Sequence, residues 1–286
     1  MKIHVIGVGK MGLPMARHLL AAGHAVTVED PSAERLALAR DAGLQVADGL
    51  GAAEVVVSSL PHDGALLAVG ERVAAQASRG AAWVDTSTVS PGASACVAMA
   101  CEKTGVQHLR CTVSGNNHMA EAAQLTVMAS GPKALHEQLL PLLRCWGPNH
   151  FWLGDAEQAR LMKLVVNLMI AQTSAMLAEA LSLGQKGGLA WEDMWRVIGA
   201  SAVASPIVKA KSVQLSQHDY TPTFTVGQMN KDIDLILGEA ARLQVPLTQT
   251  AATRQLMAAA QAQGDGDLDY AAIIRVVQRA AGLNTD

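Results

Sequence analysis

The sequence predicts an α/β protein in two parts. A doubly wound parallel sheet is expected over residues 1–155, and an all-α domain led by a long interdomain helix over 156–286. Short apolar runs alternate with helical patterns through the first half, the mark of a parallel sheet with crossover helices. From Ala156 onward the periodicity is helical, with no strand-like run. At 286 residues the chain also exceeds what one core usually supports.

The elements follow in order. An apolar strand over 2–6 runs into a glycine loop and a helical pattern that continues through Ala22. A second strand, 24–28, ends at Glu29-Asp30-Pro31, and a helix follows over about 32–42. Further short strands are expected near Val46 and over 54–60 and 82–85. Runs at 107–113 and 125–130 flank a Gly/Asn loop, and 149–153 closes the first domain. The second domain is read as helices over 156–187, 191–199, 206–214, 224–243, 248–263 and 269–281. No repeat, low-complexity tract or flexible linker separates the two parts.

Composition narrows the function classes. Half of the residues are hydrophobic and 16% are charged, which favours a packed core over disorder. The net charge of −3 offers neither a nucleic-acid patch nor a polybasic membrane signal. No stretch reads as an uninterrupted apolar membrane span, and the N-terminus lacks a signal-peptide pattern. Cys96, Cys101, Cys111 and Cys145 show no Cys-x-x-Cys spacing and read as reduced, semi-buried residues. A cytoplasmic protein without a metal site is expected.

The loop Gly7-Val8-Gly9-Lys10-Met11-Gly12 has the context that a Rossmann-type dinucleotide site requires. It follows the first strand, opens a helix and precedes an acidic residue at the end of the second strand. Gly7 allows the turn, Gly9 lets a pyrophosphate approach the backbone, and Gly12 lets helix and strand pack closely. The helix N-terminus offers free N–H groups and a positive dipole end. Asp30 stands where a carboxylate accepts hydrogen bonds from the adenosine ribose and repels a 2′-phosphate, favouring NAD over NADP. Glu29 is expected on the opposite face, although a one-residue shift would exchange the two. Arg35 is the nearest base for a 2′-phosphate.

Lys163 and Asn167 form the second constellation. Four residues apart, they share one face of a helix about one turn apart. Their neighbours Leu161, Met162, Leu164, Val165, Val166 and Leu168 are apolar, so the helix is expected to be buried all round. A buried lysine is costly unless paired or used, although its stem can also snorkel to the surface. Arg160, three residues earlier, would depress the lysine's pKa by like-charge repulsion.

Together these residues resemble the β-hydroxyacid dehydrogenase family, 3-hydroxyisobutyrate dehydrogenase-like, over nearly the whole chain. The resemblance rests on Ile6-Gly-Val-Gly-Lys-Met-Gly-Leu-Pro-Met-Ala16, Ser59-Leu60-Pro61, Asp85-Thr-Ser87-Thr88, Val113-Ser114-Gly115 and Lys163-Leu-Val-Val-Asn167. Phe224, Asn230-Lys231-Asp232 and Gly264-Asp-Gly-Asp-Leu-Asp-Tyr270 extend it. It implies an NAD(P)-dependent oxidoreductase acting on a small carboxylate-bearing substrate, with Lys163 as general acid in reduction and base in oxidation. Asn167 would hold the lysine or the substrate oxygen. Ser114, Gly115 and Asn116 would grip the carboxylate. Leu60, Pro61 and Thr88 would line the nicotinamide, and Lys231 would reach the cofactor from the helical domain.

The pattern departs from the family in two places. The usual Ser-Gly-Gly reads Ser114-Gly115-Asn116, followed by Asn117-His118, and the usual Gly-Thr before the next strand reads Ala123-Gln124. Asn116 either adds a donor or crowds the pocket, while His118 either binds an acidic group or sits in water. Phe151-Trp-Leu-Gly154 and the Lys163–Asn167 motif resemble the glyoxylate/succinic semialdehyde reductase branch, but Asp30-Pro-Ser replaces that branch's Asn-Arg-Thr. Imine reduction and a non-catalytic cofactor-binding scaffold are the competing readings, and Lys163 counts against both. The long apolar helix predicts a homodimer or homotetramer.

Overall fold

The computed structural model describes residues 1–285. Strand β1 (Lys2–Ile6) leads into α1 (Gly12–Ala21), and β2 (Ala25–Glu29) into α2 (Ala33–Asp41). Then follow β3 (Gln45–Val46), β4 (Val55–Ser58), α3 (Asp63–Gln76), β5 (Ala82–Asp85), α4 (Pro91–Thr104) and β6 (Gln107–Ser114). The sheet is completed through α5 (Asn117–Glu121), β7 (Thr126–Ser130), α6 (Lys133–Leu143) and β8 (Asn149–Trp152). The strand order is β3-β2-β1-β4-β5-β6-β7-β8. Because β2 and β4 flank β1 on opposite sides, the order reverses at β1. The carboxyl ends of β1 and β4 therefore form the switch point at which sheets of this kind bind ligands.

Apolar alternation sets the two faces of this sheet. In β4, Val55 and Val57 enter one buried cluster with Ile3, Val5 and Met15, while Val56 enters another with Leu66 and Trp83. A strand buried on both faces reads as the continuous Val-Val-Val run seen here. The sheet differs from the parallel expectation at one pair, because β6 and β7 run antiparallel, with Arg110 opposite Ser130. Their connection, residues 115–125, is too short for a parallel crossover, which takes a dozen residues or more. The expected Gly/Asn loop there contains the short helix α5.

The chain divides into two compact units, Met1–Lys163 and Leu164–Asp286. The first holds the sheet and the opening turns of α7 (Gln158–Lys186). Those turns belong with the sheet because Ala159 N–H donates to Ser130 Oγ at 3.0 Å and the Ala159 carbonyl accepts from Thr112 Oγ1 at 2.9 Å. The second unit contains the rest of α7 with α8 (Trp191–Ala200), α9 (Pro206–Leu215), α10 (Val226–Leu243), α11 (Thr248–Ala260) and α12 (Ile273–Ala280). The helix expected to reach 263 ends in a π-helical turn, Gln261–Asp265, where Gly264 adopts φ +89°. The last helix opens with a 3₁₀ turn, Tyr270–Ala272.

Helix α7 corrects the expectation of a helix buried all round. It is long enough, with a mean hydropathy of 1.5 in its most apolar window, to match a membrane span by length and composition. Its inner stripe, however, packs as a core helix: Ala171, Ala175, Ala178 and Leu181 meet Met229 and Ile233 in the second unit's core. Nor is it buried all round, since Met162, Val165, Met169 and Leu183 are exposed. The helix has a buried face that mixes alanine and serine with Leu164, Leu177 and Leu181, and an exposed face that carries large apolar side chains.

A buried ion pair braces the second unit. Lys211 Nζ meets Asp269 Oδ1 at 2.6 Å, and Asp269 also accepts from Thr223 N–H at 3.1 Å, Thr223 Oγ1 at 2.9 Å and Ala271 N–H at 3.0 Å. Burial pulls the Lys211 pKa down, opposed by the Asp269 carboxylate. The pair fixes the approach to α10, whose Thr225 and Gln228 form a capping box.

Ala123, just past α5, holds a left-handed φ of +52°. A side chain there costs about 1 kcal/mol over glycine, partly offset by glycine's looser unfolded state. Ala123→Gly is therefore expected to gain roughly 0.5 kcal/mol, measured as a raised urea midpoint at unchanged slope. An unchanged or lowered midpoint would show that the position is not strained.

Candidate functional site

The glycine loop fits a pyrophosphate by its sterics. A Cβ at Gly7, which adopts φ +89°, would strike the Ser59 carbonyl, and one at Gly12 would strike the Gly7 carbonyl. Both glycines are demanded by close approach of backbone to backbone. A Cβ at Gly9 would meet no protein atom within 4 Å. Internal packing therefore does not require the middle glycine, and the space beside it is open. No side chain caps the N-terminus of α1 and no acid occupies its first turn, which leaves the helix end suited to an anion. Lys10 is exposed beside it, and Met11 is half-buried.

The two acids after β2 face different partners. Asp30 accepts Val8 N–H at Oδ2 (2.8 Å) and Ser32 N–H at Oδ1 (2.9 Å), tying the glycine loop to the start of α2. An ionised carboxylate has about four acceptor positions, so two remain for ribose hydroxyls. Val8 contributes a buried side chain and an amide already engaged by Asp30. Glu29 points elsewhere, to Arg72 and to His4 Nε2 at 3.1 Å. Burial raises its pKa, but hydrogen bonds from His4 and Arg72 outweigh this and hold the carboxyl at about 2.

The Leu-Pro turn and the segment after β5 are joined by buried hydroxyls. Leu60 N–H donates to Ser87 Oγ at 2.8 Å, and Ser87 Oγ donates to Asp85 Oδ1 at 2.6 Å. Ser58 Oγ donates to the same oxygen at 2.5 Å. Asp85 is wholly buried, and its other oxygen pairs with Arg160 of α7. Arg160, the cationic neighbour of Lys163 in the sequence, is thus itself paired with a buried carboxylate. Pro61 is exposed and Thr88 half-buried.

Ser114 ends β6, and Gly115 follows with φ +139°. A Cβ at Gly115 would press on Leu125 and Met119, at 2.7 and 3.2 Å. Asn116 caps α5 by accepting Met119 N–H at Oδ1, 3.0 Å away. This explains the asparagine where the family has glycine: one end of the side chain is a helix cap, and only its NH₂ end remains for other contacts. His118 is largely exposed, with Nδ1 4.0 Å from Glu121, as expected for a histidine in water.

Lys163 is half-buried on α7, and Asn167 lies one turn further along and is buried. In the second unit, Asn167 Nδ2 donates to Asp232 Oδ2 at 2.5 Å, while Lys231 Nζ meets Asp232 Oδ1 at 2.8 Å. Asp232 is 1% exposed and brings two of the expected site residues together. The sequence carries one signal for it, its place beside Lys231 on a strongly amphipathic helix. Asp85, Ser87 and Arg160 carry none that groups them.

A glycine loop at a sheet switch point, with a carboxylate just after the second strand, is the arrangement of a Rossmann-type dinucleotide-binding domain. Residues 2–154 match the NAD binding domain of 6-phosphogluconate dehydrogenase, and 158–277 match the NAD-binding region of NADP-dependent 3-hydroxyisobutyrate dehydrogenase. The chain is 32% identical to 2-(hydroxymethyl)glutarate dehydrogenase of Eubacterium barkeri over 99% of its own length and 97% of that protein's. It is 29% identical to glyoxylate/succinic semialdehyde reductase 1 of Arabidopsis thaliana, covering 97% and 99%. Its fold matches a 3-hydroxyisobutyrate dehydrogenase from Mycobacterium tuberculosis with a TM-score of 0.88 at 26% identity, covering 97% and 99%. The chain belongs to the β-hydroxyacid dehydrogenase family of the 3-hydroxyisobutyrate dehydrogenase type.

The depressed Glu29 pKa gives a pH signature. Its stabilisation is fully present above the ordinary value of 4.5 and is lost as pH falls through about 2. The stability difference between the protein and Glu29→Gln should therefore be constant above pH 4.5 and shrink between 4.5 and 2. Chemical denaturation at stepped pH reads this, and a gap independent of pH would rule it out.

Proposed function

We propose that the chain interconverts a small 3-hydroxyacid and its semialdehyde or keto acid, with NAD as the preferred carrier. The observation that most supports this reading is Lys163, one turn before an asparagine whose amide is held by the buried Asp232. Bound NAD(P)H supplies the hydride. Lys163 donates a proton to the oxygen as it gains negative charge in reduction, and removes the hydroxyl proton in oxidation. Asn167, with its NH₂ directed to Asp232, presents its carbonyl oxygen as an acceptor for an ammonium or hydroxyl. Ser114 and the Gly115–Asn116 backbone hold the substrate carboxylate with neutral donors. Asp30 favours NAD because a 2′-phosphate beside it would meet a like charge. Four free thiols are in keeping with a cytoplasmic setting.

Purified protein should consume NADH faster than NADPH with one of glyoxylate, tartronate semialdehyde, methylmalonate semialdehyde or succinic semialdehyde, or reduce NAD with 2-(hydroxymethyl)glutarate. Lys163→Ala should lower kcat about 10²- to 10⁴-fold while retaining cofactor binding, the usual range for a lost general acid. Undiminished turnover in that variant would remove the lysine from the mechanism, and inactivity across the panel would overturn the substrate class.

The exposed Met162, Val165, Met169 and Leu183 on α7 support a homodimer or homotetramer that covers this outer face. Sedimentation equilibrium should return a mass of two or four chains, and a stable monomer at micromolar concentration would refute the assembly.

A further inference from the structure

We propose that Arg160 is a positioning residue, setting the height and rotation of Lys163 relative to the Leu60–Pro61 turn and the Ser87–Thr88 segment. The proposal rests on the reading of Lys163 as the proton donor. The observation behind it is a continuous chain of buried polar contacts within the first unit. Leu60 N–H donates to Ser87 Oγ (2.8 Å), Ser87 Oγ to Asp85 Oδ1 (2.6 Å), and Asp85 Oδ2 pairs with Arg160 Nη2. Arg160 also donates from Nη1 to the Ser87 carbonyl at 2.6 Å and from Nε to Ser94 Oγ at 3.2 Å.

The guanidinium thus reaches Asp85 at the end of β5 and Ser87 and Ser94 beyond it from one point on α7, and Arg160 is 1% exposed. Three residues on a helix correspond to a rise of about 4.5 Å and a rotation of about 300°, so Lys163 projects close to the same side as Arg160. Any tilt or slip of the helix start that moved Lys163 would stretch several short polar contacts at once. A stabilising role alone does not explain the pair, because a buried ion pair is often no better than apolar side chains of similar volume. A rigid fork that holds a carboxylate and three further oxygens does provide orientation, which lysine at this position would not reproduce. The same chain fixes the Leu60 amide, so one network spans both the nicotinamide-side turn and the proton donor's helix.

The test uses Arg160→Lys, Arg160→Met and Ser87→Ala, with Lys163→Ala as reference, assayed well below each variant's melting temperature. Ser87→Ala breaks the link to Leu60 while leaving the ion pair, so it remains informative if an Arg160 variant fails to fold. Arg160→Lys is expected to lower kcat at least 30-fold and Ser87→Ala about 10-fold. KM and the NADH dissociation constant should stay within about threefold. The primary isotope effect with 4-deuterated NADH should rise, and the pH midpoint of kcat should stay in place. Folded variants with wild-type kcat, against an inactive Lys163→Ala, would overturn the positioning role alone. A lowered kcat accompanied by a displaced pH midpoint would replace positioning with charge tuning. Wild-type turnover in Lys163→Ala would instead fail the proton-donor reading on which the proposal rests.

Discussion

A carboxylate buried at the end of a central strand must have donors on every side, and Asp85 imposes this constraint on its surroundings. Ser58, Ser87 and Arg160 supply those donors, from β4, the segment after β5 and α7. Trp83 Nε1 donates to Ser58 Oγ at 2.9 Å, so a large aromatic is aligned by the same demand. An unpaired charge in this position would cost several kcal/mol, far more than a misplaced methyl group. The strand end, the Leu60 turn and the start of α7 therefore adopt their arrangement together or leave a buried charge unsatisfied.

The same device recurs in the second unit. Asp269 gathers Lys211, Thr223 and Ala271, Asp265 pairs with Arg275 and Arg279, and Asp232 joins Asn167 to Lys231. With only 3% aromatic residues, this chain fills its interior with small aliphatic side chains, which pack well but discriminate weakly between nearby helix placements. Directional contacts at buried carboxylates supply the discrimination that shape does not. Each of these acids also lies at or next to a family motif, which links packing specificity to the placement of functional side chains.

Much of the architecture was legible because it depends on local pattern. The run Val55-Val-Val-Ser58 marks a strand buried on both faces, and Gly7 and Gly12 mark backbone contacts that only glycine permits. The lysine–asparagine pair is likewise a matter of helical spacing. What was not legible depends on partners distant in sequence. The antiparallel β6–β7 pairing follows from a short connection whose five-residue helix α5 has the composition of a loop. Arg160 looked like a free cation beside Lys163 because its partner, Asp85, lies 75 residues earlier. Asp232 carries no signal of burial beyond helix phase, and Asn167 stands 65 residues from it. The exposed outer face of α7 is not legible because its residues are as apolar as those of its buried face.

The substrate loop illustrates how a departure from family pattern acquires physical meaning. Asn116 replaces a glycine, and its side-chain oxygen is committed to capping α5, so the loop after Ser114 ends in an ordered helical turn. Ala123, where the family has glycine, closes that turn in the left-handed region, and Gln124 N–H returns to the Met119 carbonyl at 2.8 Å. Asn116 stabilises one end of the short helix while Ala123 strains the other. An asparagine that simply filled the pocket would leave its amide oxygen free to meet a substrate, but here the cap directs that oxygen inward along the chain. The NH₂ group is the end left for other contacts, so the cap, and not the pocket, is the physical reason on hand for an asparagine at this position.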